Sequence, residues 1–150
     1  MNRSAALDTN ILIYAHVSDY SEHPAVRTWL LEFLRQCEVF YITWQVVYEY
    51  VRIMTHPRIL RHPLTVAQTL SDLTPYLEDS RCRFLQETDV HWAIVSELFK
   101  KLPSAKGNFI HDCHYAALLK EHAVETIVTA DSDFLKFQFL EVVNPVLSAS

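Results

Sequence analysis

The sequence predicts an α/β protein, with a parallel sheet covered by helices on both faces. Short runs of β-branched and aromatic residues alternate with segments whose apolar residues recur at i, i+3 and i+4. That alternation builds βαβ units, whose crossovers lay helices over both faces of a sheet. Half of the 150 residues are apolar, enough for the one buried core expected of such a length. Acidic residues follow several of the strand-like runs, and open parallel sheets bind ligands outside the carboxyl ends of their strands.

Arg3 to Leu7 reads as the first strand, running straight into Asp8, and Asn10 to Ala15 as one or two helical turns. Val26, Trp29, Leu30, Phe33 and Leu34 place a helix over His23 to Gln36. Glu38 to Ile42 is aromatic and β-branched, a buried strand. Thr43 suits the N-cap of a helix from Trp44 to Met54, with Val47, Tyr50, Val51 and Met54 inward, and His56-Pro57 stops it. After a basic loop, Pro57 to Pro63, Thr65 starts a helix with Val66, Leu70, Leu73 and Leu77 on its inner face. Cys82 to Leu85 is a short strand, and Asp89 caps a helix through Lys101 with Val90, Ile94, Val95 and Leu98 inside. Pro103 to Gly107 is a loop, Phe109 to His122 a helix, and Thr126 to Thr129 a strand. Asp133 to Phe137 is a short helix and Leu140 to Val143 a last strand.

No repeat or linker divides the chain, so residues 1–150 are expected to form one domain, with Leu147 to Ser150 a loose tail. No apolar run is long enough for a transmembrane helix, and MNRSAALDTN lacks the apolar stretch of a signal peptide. The expectation is a soluble cytoplasmic protein with no membrane partner. Cys37, Cys82 and Cys113 are scattered, odd in number and without a CxxC pair, which favours reduced thiols. Gly107 is the single glycine, which excludes the P-loop and the dinucleotide fingerprint. Phosphate chemistry would therefore need metals or side chains. A formal charge of −5 does not suit a polyanion binder unless several acids are gathered in one cation-filled site.

Such a gathering is what the topology suggests. Asp8 ends the first strand, Asp131 lies just past the strand that ends at Thr129, and Asp133 is two residues further on. Asp112 falls in the first turn of its helix and Glu49 in the second turn of its own. Singly, each acid has an ordinary explanation: Asp8, Asp112 and Asp131 as caps or turn residues, Glu49 as a surface partner of Arg52. Together they would repel, at about 4 kcal/mol for two charges about 4 Å apart at an effective dielectric near 20. Protons or cations must relieve that repulsion, and an all-oxygen ligand set selects Mg²⁺, with Mn²⁺ able to substitute.

LDTNILIYA (Leu7 to Ala15) resembles the first motif of PIN-domain nucleases, and WQVVYEYVRI (Trp44 to Ile53) the second, carrying Glu49. GNFIHDCHYAALLKEH (Gly107 to His122) resembles the third, with Asp112, and IVTADSDF (Ile127 to Phe134) the fourth, with Asp131 or Asp133. The four stand in register over nearly the whole chain, and the pattern is most similar to the VapC toxins of toxin–antitoxin pairs. Cys113 departs from the small residue usual in the third motif. The resemblance implies a three-layer α/β/α sandwich with strand order 3-2-1-4-5. It also implies an Mg²⁺-dependent endoribonuclease that hydrolyses RNA phosphodiesters with metal-activated water, leaving a 5′-phosphate and a 3′-hydroxyl. Asp8, Asp112, Asp131 and Glu49 are its expected catalytic and metal residues, with Asp133 assisting and Glu49 either ligand or general base. A cognate antitoxin and a homodimer follow from the same resemblance, the dimer surface expected on Val26 to Phe33 and Val66 to Leu77.

Thr9, Asn10 and Thr129 are placed to orient the acids by hydrogen bonding, with helix capping the rival role for Asn10. Arg52, Arg58 and Arg61, with His56 and His62, form the densest basic stretch and are candidate RNA contacts. Lys100, Lys101 and Lys106 lead into Asp112 in the same way. Trp44 and Tyr48 are candidates for base stacking, against a reading as core aromatics. His111 and His114 flank Asp112 and read as surface or phosphate-contacting side chains rather than ligands of the acidic site. A haloacid-dehalogenase-like phosphatase would need a second acid where Asn10 stands, and a receiver domain an acidic pair before Asp8. The remaining alternative is a catalytically silent PIN-like module that binds RNA or protein.

Overall fold

The computed structural model describes residues 3–148. Five parallel strands form one sheet: β1 (Ser4–Leu7), β2 (Val39–Thr43), β3 (Cys82–Leu85), β4 (Thr126–Val128) and β5 (Glu141–Val143). Their order is β3-β2-β1-β4-β5. The helices that flank it are α1 (Thr9–His16), α2 (His23–Gln36), α3 (Trp44–Met54), α4 (Val66–Leu77), α5 (His91–Lys101), α6 (Phe109–Glu121) and α7 (Pro145–Ser148). The expected fold class and strand order are those observed.

Central β1 supplies Ala5, Ala6 and Leu7, none more than 1 % exposed, and β4 is buried throughout. Both strands are covered on each face, so they read as continuous apolar runs rather than alternating ones. On α6 the buried residues Cys113, Tyr115, Ala116, Ala117, Leu118 and Leu119 run almost without interruption, because that helix is packed on most of its circumference. Cys113 thus sits in the core, and all three cysteines are free thiols.

Thr43 caps α3, its Oγ1 accepting the Val46 N–H at 3.3 Å. Thr65 caps α4 in a reciprocal box with Gln68, Thr65 Oγ1 accepting the Gln68 N–H and Gln68 Oε1 the Thr65 N–H. Three local expectations are corrected. On α4 the inner face carries Thr69 and Leu73, while Val66 and Leu70 are exposed. Thr69 is tolerated inside because its hydroxyl donates to the Val66 carbonyl at 2.6 Å. Asp89 does not cap α5, which has Val90 at its N-cap with no side-chain bond, and Val90 is exposed. Leu147 and Ser148 belong to α7 rather than to a loose tail, the rest of which lies outside the described residues. Among the described residues, no helix is long and apolar enough to cross a membrane.

Candidate active site

Asp8 is the residue directly after β1, and its extended backbone (φ −85°, ψ 159°) makes it the N-cap of α1. Its Oδ1 accepts the Thr9 N–H at 2.7 Å. Its Oδ2 accepts the Thr129 hydroxyl at 2.7 Å and the Asn10 amide at 3.2 Å. Thr129 reaches it because Leu7 pairs with Val128, which brings the two strand ends together, and the Asp8 N–H donates to the Val128 carbonyl. This is the place where the chain path reverses across the sheet, the switch point at which such sheets bind ligands.

Fully buried Thr129 uses every bonding position of its hydroxyl. It donates to Asp8 and accepts from Asn10 Nδ2 at 3.2 Å and from the Asp131 N–H at 3.0 Å. Asn10 completes the clasp, its Oδ1 accepting the Ala130 N–H at 3.0 Å. Asp131 caps the 3-10 turn Ser132–Lys136, its Oδ1 accepting the Asp133 N–H at 2.9 Å. Thr9, Asn10 and Thr129 all touch Asp8, Thr9 through its backbone N–H.

Asp112, in the first turn of α6, joins this group across the sheet edge. One carboxylate oxygen from each of Asp112, Asp131 and Asp133 lies within 4.8 Å of the others. Burial pushes the Asp112 carboxyl up to about 7, with Asp131, Asp8, Asp133 and Glu49 adding their repulsion in that order. Burial likewise raises Asp8 to about 6, against the opposing bonds from Thr129 and Thr9 and with help from Glu49 and Asp131. Glu49 is half-buried on α3 and close enough for both to feel its charge. Among the described residues, no ion pair joins Glu49 to Arg52, and none neutralises Asp8, Asp112 or Asp131. Among the described residues the group's ion-pair partner is Lys136, whose Nζ lies 3.2 Å from Asp133 Oδ1 and 4.5 Å from the Phe109 ring centre.

The fold therefore gathers all five acids singled out from the sequence. The basic candidates are placed differently. Arg52 is exposed one turn beyond Glu49. Arg58 and Arg61 are exposed in the loop after α3, where Arg61 lines a cleft with Val17, Asp19 and Tyr20 beyond the last turn of α1. That is the far end of a helix whose N-cap is Asp8, so this loop is not gathered with the acids. Trp44 stacks on Phe84 with ring centres 4.3 Å apart, and Tyr48 is 74 % exposed. His111 is exposed, and His114 is hydrogen-bonded to Gln45 and Glu87 rather than to any of the five acids.

Two supporting residues escaped the sequence reading. The buried Tyr115 hydroxyl donates to the Leu7 carbonyl at 2.7 Å and so pins α6 to the end of β1, one residue before Asp8. In sequence it is only another core aromatic. Lys136 did leave a trace, as a cation three residues after Asp133 in a short helix.

The group fits a hard cation. Its donors are all carboxylate oxygens, they converge, and the raised proton affinities of Asp8 and Asp112 come from burial and then from repulsion by their neighbours, both of which a bound cation would offset.

Comparison with known proteins agrees with this fold. The PIN domain family matches residues 5–140. Ribonuclease VapC48 of Mycobacterium tuberculosis is 26 % identical over 142 residues, covering 95 % of this chain and 97 % of its own. Among solved structures, VapBC2 from Rickettsia felis, bound to a DNA fragment from its promoter, superposes with a TM-score of 0.66. It is 20 % identical and covers 94 % of this chain and 98 % of its own. The M. tuberculosis toxin VapC20, described as cleaving the sarcin–ricin loop, gives 0.68 at 14 % identity, covering 93 % and 98 %. With a family match over residues 5–140 that takes in every acid of the cluster, the chain belongs to the PIN domain family.

Proposed function

We propose that this chain is a divalent-cation-dependent endoribonuclease and the toxin of a toxin–antitoxin pair, folded as one domain. The observation that carries the reading is the convergence of Asp8, Asp112, Asp131, Asp133 and Glu49, of which only Asp133 has an ion-pair partner among the described residues. Similarity to relatives named VapC ribonucleases supplies the substrate class.

Asp8, Asp112 and Asp131 would hold Mg²⁺, or Mn²⁺ in its place, with Asp133 assisting. When bound, the ion supplies Lewis acidity at a phosphodiester and its attacking water. The chain's own residues do the rest. Glu49 takes the proton of the attacking water on a carboxylate oxygen, as general base. Thr129 and Asn10 fix the rotamer of Asp8, and the cap on the Asp133 N–H fixes that of Asp131. Arg52, one turn from Glu49, holds an RNA phosphate, and Arg58 and Arg61 extend the basic path along the loop. The chain's likeness in fold to the toxin solved in the VapBC2 assembly supports an antitoxin partner. Exposed Leu31 on α2 and Val66 and Leu70 on α4 are the apolar surface we assign to a homodimer.

The test is cleavage of a structured RNA by the purified chain. Mg²⁺ should be required, EDTA should stop cutting, and Asp112→Asn should abolish it. Cleavage that survives EDTA overturns the metal mechanism. Cleavage without growth arrest on induced expression overturns the toxin role alone.

A further inference from the structure

We propose that Glu87, His91 and His114 form a second metal site, separate from the acidic cluster, that takes Zn²⁺. Glu87 lies in the loop after β3, His91 opens α5, and His114 is on α6. One ligand atom from each falls within 4.8 Å of the other two. Imidazole nitrogens suit Zn²⁺ and other late first-row ions but not Mg²⁺, and two histidines with one carboxylate form a known zinc ligand set.

The surrounding hydrogen bonds prepare both rings. His114 Nδ1 lies 2.9 Å from Gln45 Oε1, and His91 Nδ1 lies 2.7 Å from Glu121 Oε2. An amide oxygen and an ionised carboxylate can only accept, so Nδ1 carries the proton on each ring. Nε2 is thereby the nitrogen of each ring that faces a metal, on His114 once the proton it shares with Glu87 has left. This is the outer arrangement by which proteins orient zinc-binding histidines. Glu121 is itself anchored, since its Oε1 accepts both the N–H and the hydroxyl of Thr88 at 2.5 Å.

His114 Nε2 and Glu87 Oε1 are 2.6 Å apart, a distance at which they share a proton. Zinc would replace that proton. Donors about 2.0–2.1 Å from a tetrahedral ion stand about 3.3 Å apart, so the pair must open slightly. Glu87 is exposed on a loop and can give way. With three protein ligands, the fourth position is left to water. The site is distinct from the acidic cluster by construction. Asp112 and His114 are two residues apart on α6, about 200° around the helix. A bound ion would clamp the start of α5 and the β3–α5 loop to α6.

Equilibrium dialysis of the full chain against Zn²⁺, in excess Mg²⁺ to fill the acidic cluster, tests this. One equivalent of Zn²⁺ should be retained, and Co²⁺ should give the visible d–d absorption of a tetrahedral site. His91→Gln and His114→Gln should each weaken retention by at least about 100-fold. Glu121→Gln, with all three ligands present, should weaken it about 10–100-fold. Asp112→Asn should leave it unchanged. Circular dichroism separates ligand loss from misfolding, and exposed Glu87→Gln gives a ligand variant that keeps the fold. Failure to retain Zn²⁺ in Mg²⁺, retention unaltered in His91→Gln, or retention lost in Asp112→Asn overturns the proposal.

Discussion

Asp112 and His114 stand two residues apart on α6 and face two differently balanced clusters. On the Asp112 side, burial and four neighbouring carboxylates raise the proton affinity of the group. On the His114 side, Glu87 is held below its ordinary value by a backbone hydrogen bond and then by His114. Glu121 is lowered too: burial opposes it, but the bonds from Thr88 and His91 prevail. The first cluster is short of positive charge and the second is nearly complete. An ion would therefore relieve strain in one and only exchange with a proton in the other. The same helix thus carries a site that needs a cation to be comfortable and one that can merely accept it.

The largest effect should come from removing a carboxylate on the incomplete side. Asp112→Asn should lower RNA cleavage by at least about 100-fold, more than is usual for a residue that only supports a ligand. The same change should stabilise the metal-free chain, because it deletes a repelled acid. Denaturant unfolding in EDTA checks this, and a less stable metal-free variant would contradict the repulsion argument.

Next comes the clasp beneath the acids. Thr129→Val removes one donor, strands the Asp131 N–H and leaves Asn10 Nδ2 with Asp8 as its remaining acceptor. A buried donor without a partner costs about 1–3 kcal/mol, and loss of an orienting bond about 10–100-fold in activity. Thr129→Ser keeps the hydroxyl and should recover most of both. Equal damage from Ser and Val would mean that packing, not the hydroxyl, matters at this position.

How much of this contrast was legible in the sequence differs between the two sides. The limits of α2, α3 and β3 follow from Thr43, Pro57 and clean apolar periodicity, signals that act within one turn. Asp8, Glu49, Asp112 and Asp131 were legible because strand ends in a parallel sheet point to one edge. What the sequence hid depends on contacts across the chain. Tyr115 reaches a carbonyl 108 residues away, and His114 finds Gln45 69 residues away. The α4 face was misread because periodicity ranks Val66 and Leu70 above Thr69, whereas a local hydroxyl bond lets Thr69 turn inward.

The two sides should also differ in the sign of their pH dependence. Asp112 titrates near 7 in the fold and near 3.8 when unfolded. Between those values the folded chain holds a proton that the unfolded chain has released. Stability from this group is full below the unfolded value and is lost as pH rises through the folded one, by up to about 1.4 kcal/mol per pH unit for one proton. Asp8 adds to the loss in the window from 3.8 to about 6. Glu87 and Glu121 act oppositely: their contribution is present above the ordinary value of 4.5 and lost as pH falls below it. Metal-free chain should thus lose stability between about pH 5, above the range where Glu87 and Glu121 act, and about pH 7, where Asp112 has released its proton, and Mg²⁺ should flatten that decline by taking the protons' place. A flat profile in EDTA would break the contrast.

The smallest effect should be that of Glu87→Gln in the absence of metal. The Glu87 and His114 side chains are 52 % and 33 % exposed, so solvent screens their attraction. Pairs of that kind contribute about 0–1 kcal/mol, and the amide of Gln can still accept from His114 Nε2 if that nitrogen is protonated. Thermal unfolding should therefore barely move. Added Zn²⁺ is what separates the two variants. An ion at about 100 times its dissociation constant stabilises the parent by about 2.7 kcal/mol, and Glu87→Gln should show a much smaller gain because its ligand is gone. A large loss without metal would instead make Glu87 a structural anchor of the β3–α5 loop, and the second cluster would then be complete for the fold's sake alone.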